Sequence, residues 1–251
     1  MTATTIPDLL ACLLSVDPAR PLLTFYDDAT GERVELSVKS FDNWVAKTAN
    51  LLQDELSADP GDHVALWLPT HWQSAVWVCA AAACGVVISH DPGLETTADV
   101  VVCGPDTLAE ATGSGVREVV GLSLRPMGQG FDTAVPDGVT DYATTVLAQG
   151  DTFLAFGAPD GDAPFVVSRD GSTSQRELLA QARQGAETLG LYPNGRLLCD
   201  ANPVVASGFA GGVLAAMVTG GSVVLTRNPD PAAIDGRAAQ ERITAQWWSG
   251  R

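Results

Sequence analysis

Thirteen consecutive residues, Trp72 to Cys84, carry neither a charge nor a glycine and sit between two short apolar runs, Val64 to Leu68 and Val86 to Ser89. A run of that length with no polar face predicts a helix buried on every side. Pro69 closes the first flanking strand, Gly85 ends the helix, and Asp91-Pro92 terminates the second strand. Strand, helix and strand joined by such short turns form a βαβ unit, whose helix crosses the sheet face so that the second strand returns parallel to the first. The stretch GDHVALWLPTHWQSAVWVCAAAACGVVISHDP, Gly61 to Pro92, therefore commits the chain to the α/β class, with mostly parallel strands flanked by helices.

The same grammar returns further on. Leu23 to Tyr26 and Val34 to Leu36 predict a hairpin, followed by a helix from Phe41 to about Leu56 with Ser37 or Ser40 as N-cap. In the second half, Leu154 to Gly157 and Phe165 to Ser168 predict a matching hairpin. A helix from Ser174 to about Leu189, a small-residue helix from Ser207 to Thr219 and a strand from Ser222 to Thr226 complete the order. An internal duplication of residues 22–92 and 153–229 is the most economical explanation; common turn grammar is the alternative. Between the halves, Val100 to Cys103 and Glu118 to Leu122 read as strands joined by a short helix, and Gly128 to Val139 as a loop. The division that follows is an N-terminal segment 1–21, with a short helix capping an edge, a first subdomain 22–127, a connecting loop 128–150 and a second subdomain 151–251.

Among the 251 residues, 46% are hydrophobic and 18% charged, the balance of a folded globule. The formal net charge is −16, and the 14 basic residues are scattered, which disfavours nucleic acid and anionic membrane surfaces as partners. Val204 to Leu225 carries no charge, but Gly220-Gly221 divides it into a helix and a strand, so no membrane span is expected. The five cysteines form no CxxC pair and read as reduced thiols, and no basic residue precedes Arg20; a cytoplasmic location follows.

Taken in order, GDHVALWLP, the buried helix, CGVVISHDP, the second helix and AAMVTGGSVVLT resemble the N-terminal part of the adenylate-forming (AMP-binding, acyl-CoA synthetase-like) superfamily, over about residues 20–247. In length and sequence the chain looks most like a short actinobacterial family with twilight similarity to AMP-binding enzymes. The resemblance implies a phosphate-binding loop, rich in Ser, Thr and Gly and containing Lys, at the start of the second half. Phe156 to Pro164 stands there instead and holds neither hydroxyl nor Lys. Gly157, Asp160, Gly161, Asp162 and Pro164 mark this degenerate position. Its two carboxylates would oppose phosphates at a cost of about 1 to 4 kcal/mol per pair near 4 Å. The family's later adenine, metal and ribose motifs and its C-terminal catalytic domain have no counterpart.

No residue qualifies as catalytic from the sequence, and no metal or cofactor is expected. GxSxG, GxGxxG followed by an acidic residue, GxxxxGK[ST] and HExxH are all lacking. His90, after a strand end, is a candidate ligand contact at the sheet's C-terminal edge, against a structural histidine. Ser172 and Thr173 are candidate anion contacts before a helix, against simple capping. Trp247 and Trp248 are candidates for a homo-oligomer or partner interface along the C-terminal edge, against packing within the chain. Two functions fit: a catalytically silent binding or interaction module, or a partial AMP-forming acid ligase that keeps an acyl or nucleotide pocket and needs a partner lobe.

Overall fold

The computed structural model describes residues 3–90 and 98–249. The chain opens with α1 (Ile6–Val16), N-capped by Thr5, whose hydroxyl accepts from the Asp8 N–H. Ile6, Leu9, Leu10 and Leu13 are buried, and the helix packs on the central helices. It is part of the core, where the sequence suggested an edge cap. The hairpin β1 (Pro21–Asp27) and β2 (Glu32–Ser37) leads into α2 (Val38–Asn50), capped by Ser37 and extended by a π-helical turn, Leu51–Glu55.

The βαβ unit forms as its sequence requires: β3 (His63–Trp67), α3 (Trp72–Cys84) and β4 (Val87–Ser89). Every residue of α3 is buried, and the helix touches β4 of one sheet and β1 of the other. An all-apolar helix is stable only in such a fully enclosed place. Gly85 ends it at φ 73°, a conformation that costs glycine little. Next come β5 (Val100–Cys103), α4 (Leu108–Gly113), β6 (Glu118–Gly121), β7 (Val139–Asp141) and α5 (Tyr142–Val146). The last two lie within residues 128–150, the stretch expected to be a connecting loop.

The second half holds β8 (Pro164–Ser168), β9 (Gly171–Ser174), α6 (Gln175–Thr188) and β10 (Arg196–Cys199). A continuous helical stretch follows: α7 (Ala206–Gly208), a π-helical segment Phe209–Leu214 and α8 (Ala215–Val218). It ends with β11 (Ser222–Arg227), α9 (Ile234–Gln240) and β12 (Ala245–Trp247). Among the described residues, no helix is long and apolar enough to cross a membrane.

The strands form two sheets, ordered β12-β10-β11-β1-β2 and β7-β6-β5-β3-β4-β8-β9. Each hairpin joins the sheet of the opposite half. Leu23 of β1 pairs in parallel with Val223 of β11, while Val166 of β8 pairs in parallel with Ile88 of β4. Both hairpins open on a proline, shift register after it, and end on the serine that caps the next helix: Pro21 faces Ser37, and Pro164 faces Ser174. The boundaries 22–127 and 151–251 follow the chain, whereas each sheet takes strands from both segments. β3 is buried on both faces: Val64 and Leu66 enter the main core, Ala65 a smaller one beneath α4.

One expected strand is not formed. Leu154 to Gly157 has no strand partner; Leu154 and Phe156 are 87% and 72% exposed. Side chains of α2 and the turn after it hold this segment by its main chain. Asn50 donates to the Gly150 and Thr152 carbonyls, and Gln53 donates to Leu154 O and accepts from Phe156 N.

Candidate functional site

The segment 157–164 lies at the N-terminal end of β4, against Pro60, Gly61 and Gly85. It is closed on itself. The Asp160 carboxylate accepts from the Asp162 N–H at 2.9 Å, and the Arg176 N–H donates to Gly161 O at 3.0 Å. The Arg176 guanidinium grips Asp162 through both oxygens, at 2.6 and 2.9 Å, and holds its carboxyl below the ordinary aspartate range. A Cβ on Gly161 would come within 2.6 Å of Thr4 O, so glycine allows the N-terminal segment to lie against the loop. Pro164 begins β8.

Ser172 and Thr173 lie on β9, one strand residue or more before the helix they were expected to serve. Ser174 is the cap of α6: its hydroxyl accepts from the Glu177 N–H, and the Glu177 carboxylate accepts from the Ser174 N–H. This capping box puts a carboxylate on the helix N-terminus and explains the segment without an anion.

His90 is at the opposite end of the sheet, where the sequence placed it. β3, β4 and β5 are parallel, and their C-terminal ends open on a cavity of about 340 Å³. Trp67, Leu68 and Pro69 follow from β3, His90 from β4, and Gly104 to Thr107 from β5; Glu110 of α4, Leu124 and Asn202 complete the lining. This is the position where open parallel sheets bind ligands, because strand ends present side chains from several loops to one crevice.

Hydrogen bonds to the strand ends fix the polar lining. His90 Nδ1 lies 2.8 Å from Leu66 O, and since a carbonyl only accepts, Nδ1 carries the hydrogen. The Thr107 hydroxyl lies within 3.2 Å of Trp67 O, and Asn202 donates to Leu68 O at 3.0 Å. Asn202 also accepts from the Val204 N–H at 3.2 Å, so both ends of its amide are used. A Cβ on Gly104 would sit 3.0 Å from Leu124, which explains the glycine at this turn.

The other histidines lie elsewhere. His63 pairs with Ser89 at 2.7 Å; His71 caps α3 through Nδ1 and is buried, with Nε2 3.9 Å from Glu32. Burial lowers the His71 pKa although Glu32 opposes the shift. Among the described residues no cluster of three or more His, Cys, Asp or Glu side chains could hold a metal. Cys79, Cys84, Cys103 and Cys199 are buried free thiols, and burial pushes those of Cys84, Cys103 and Cys199 up to about 12. Trp247 is half-buried on the outer strand β12, its ring over Gly211; the Trp248 indole donates to Gln246 at 3.2 Å.

No protein-family model matches the chain. A protein of Mycobacterium tuberculosis (strain ATCC 25618 / H37Rv), described as a TIGR03089 family protein, is 39% identical over 246 residues, which cover 94% of this chain and 95% of its own. The chain belongs to the TIGR03089 family. Among solved structures, this TIGR03089 family member is similar to an acyl-CoA synthetase of Brucella canis, with TM-score 0.74 at 18% identity, over 97% of this chain and 50% of that one. It is also similar to the anthranilate CoA ligase AuaEII in complex with anthranoyl-AMP, with TM-score 0.76 at 16% identity, over 97% and 49%. Acetoacetyl-CoA synthetase from Streptomyces lividans gives 0.78 at 21%, over 98% and 42%. The TIGR03089 family member thus has the fold of the N-terminal part of adenylate-forming enzymes and spans about half the length of these structures.

The cavity around His90 was only partly legible. His90 carries a signal in its place after a strand, and Gly104-Pro105, after the next strand, carries the same one. Leu124 and Asn202 reach the site from distant segments and leave no local mark.

Proposed function

We propose that this TIGR03089 family member is a binding or interaction module built on the adenylate-forming scaffold and catalytically silent toward ATP. The observation that carries this reading is the loop 157–164. Where phosphate donors would be needed, Asp160 and Asp162 stand, one committed to a turn and the other to Arg176. A triphosphate there would have to break that ion pair and still meet two carboxylates. The reading includes an internal duplication, favoured by the matching strand order of the two sheets. It includes a cytoplasmic location, in keeping with four buried unpaired thiols. A homo-oligomer or protein partner would dock along β12, the outer strand beside Trp247 and Trp248, because an edge strand offers unpaired main-chain groups.

ATP–pyrophosphate exchange over a panel of carboxylic acids, with calorimetric titration of Mg-ATP, tests the silence. No exchange and no saturable heat are expected. Exchange that disappears on altering the 157–164 loop would instead favour a partial ligase borrowing a lobe from a partner. Light scattering of wild type and Trp248→Ala tests the docking edge: a lower mass in the variant supports it, and a monomeric wild type that recovers no partner from cytosol refutes it.

A further inference from the structure

We infer that the cavity at the C-terminal ends of β3, β4 and β5 binds a small organic cation, a protonated amine carried on a compact apolar body. The volume of about 340 Å³ is within the range of small-molecule sites. Its walls are mostly apolar, with the Trp67 indole and Leu124 to receive a hydrophobic body. The polar groups decide the sign of the charge. Three lining side chains direct donors at main-chain oxygens: His90 to Leu66, Thr107 to Trp67, and Asn202 to Leu68. With Nδ1 turned to Leu66 O, His90 keeps Nε2 for a further partner, and Thr107 keeps hydroxyl lone pairs. Asp106 and Glu110 add two acidic side chains to the same lining, and no Lys or Arg is among its described residues. Acceptors and carboxylates beside an indole complement an ammonium group and repel phosphate or carboxylate. The inference concerns the opposite end of the sheet from the 157–164 loop and stands whether or not the chain exchanges pyrophosphate.

Three probes with the same phenyl body separate charge from shape: phenethylamine, 3-phenylpropan-1-ol and 3-phenylpropionate. Ligand-observed NMR titration of the full chain is expected to rank them in that order, with the amine at least about tenfold tighter than the acid. A chain of net charge −16 attracts any cation weakly, so the decisive comparison is internal. Asp106→Asn combined with Glu110→Gln changes exposed side chains and should remove the preference for the amine while the alcohol binds as before. The matching double change Asp170→Asn with Glu187→Gln, on exposed side chains away from the cavity, should leave the preference intact. Equal binding of the three probes, a preference for the acid, or no binding of the amine up to about 10 mM would overturn the inference. So would a preference that survives the cavity variant.

Discussion

At the scale of single residues, buried groups give the sharpest tests. His71 is 1% exposed and uses Nδ1 to cap α3, and its folded-state pKa is lowered by burial. A depressed pKa means that the unfolded chain takes up a proton first as the pH falls. This residue's contribution is therefore complete above the ordinary histidine value and is lost on acidification below it, by at most about 1.4 kcal/mol per pH unit. His71→Asn keeps an acceptor for the Gln73 N–H and removes the titration. Urea midpoints measured between about pH 7 and about pH 5 should fall less steeply for the variant; parallel slopes would show that His71 protonates within the fold. Gly208→Ala tests packing near the cavity, because its Cβ would collide with the Asn202 carbonyl oxygen. A loss of about 1–3 kcal/mol is expected from denaturation curves. Gly113→Ala, with nothing within 4 Å, should be neutral or gain about 0.5–1 kcal/mol.

Elements show what the sequence could and could not tell. β3, α3 and β4 were readable because a run of apolar residues bounded by Pro69 and Gly85 has few other solutions; the stop expected at Asp91-Pro92 lies outside the described residues. The helix after β9 was readable too, and its capping box predicts its own test. Ser174→Ala should lower stability by about 1 kcal/mol, seen as a shift in the urea midpoint with the slope unchanged. Leu154 to Gly157 misled for a physical reason: alternating Leu and Phe look like a half-buried strand, yet Gln53, in the turn after α2, supplies the hydrogen bonds a neighbouring strand would have given. The cavity's local marks are His90 and Gly104-Pro105, each after a strand end, since local pattern cannot show that Leu124 and Asn202 converge there.

For the whole molecule, the exchange of hairpins means that neither half holds a complete sheet. Residues 1–150 contain β1 and β2 but lack β11, and residues 151–251 contain β8 and β9 but lack β4. Expressed separately, each half is expected to show poor dispersion in amide NMR spectra, and mixing or co-expression should restore the spectrum of the intact chain. Two independently folded halves would refute this coupling.

That clasp also dictates an order of events on the ribosome. β1 is synthesised well before its parallel partner β11, with Leu23 waiting for Val223. Until β11 emerges, one edge of an apolar strand has no neighbour, the condition in which nascent chains recruit chaperones or associate wrongly. The seven-stranded sheet can assemble once β9 emerges, whereas the five-stranded sheet must wait for β10, β11 and β12. Force-sensing arrest of truncated nascent chains should therefore register a late folding event only when Arg227 and the strand ending there have cleared the exit tunnel.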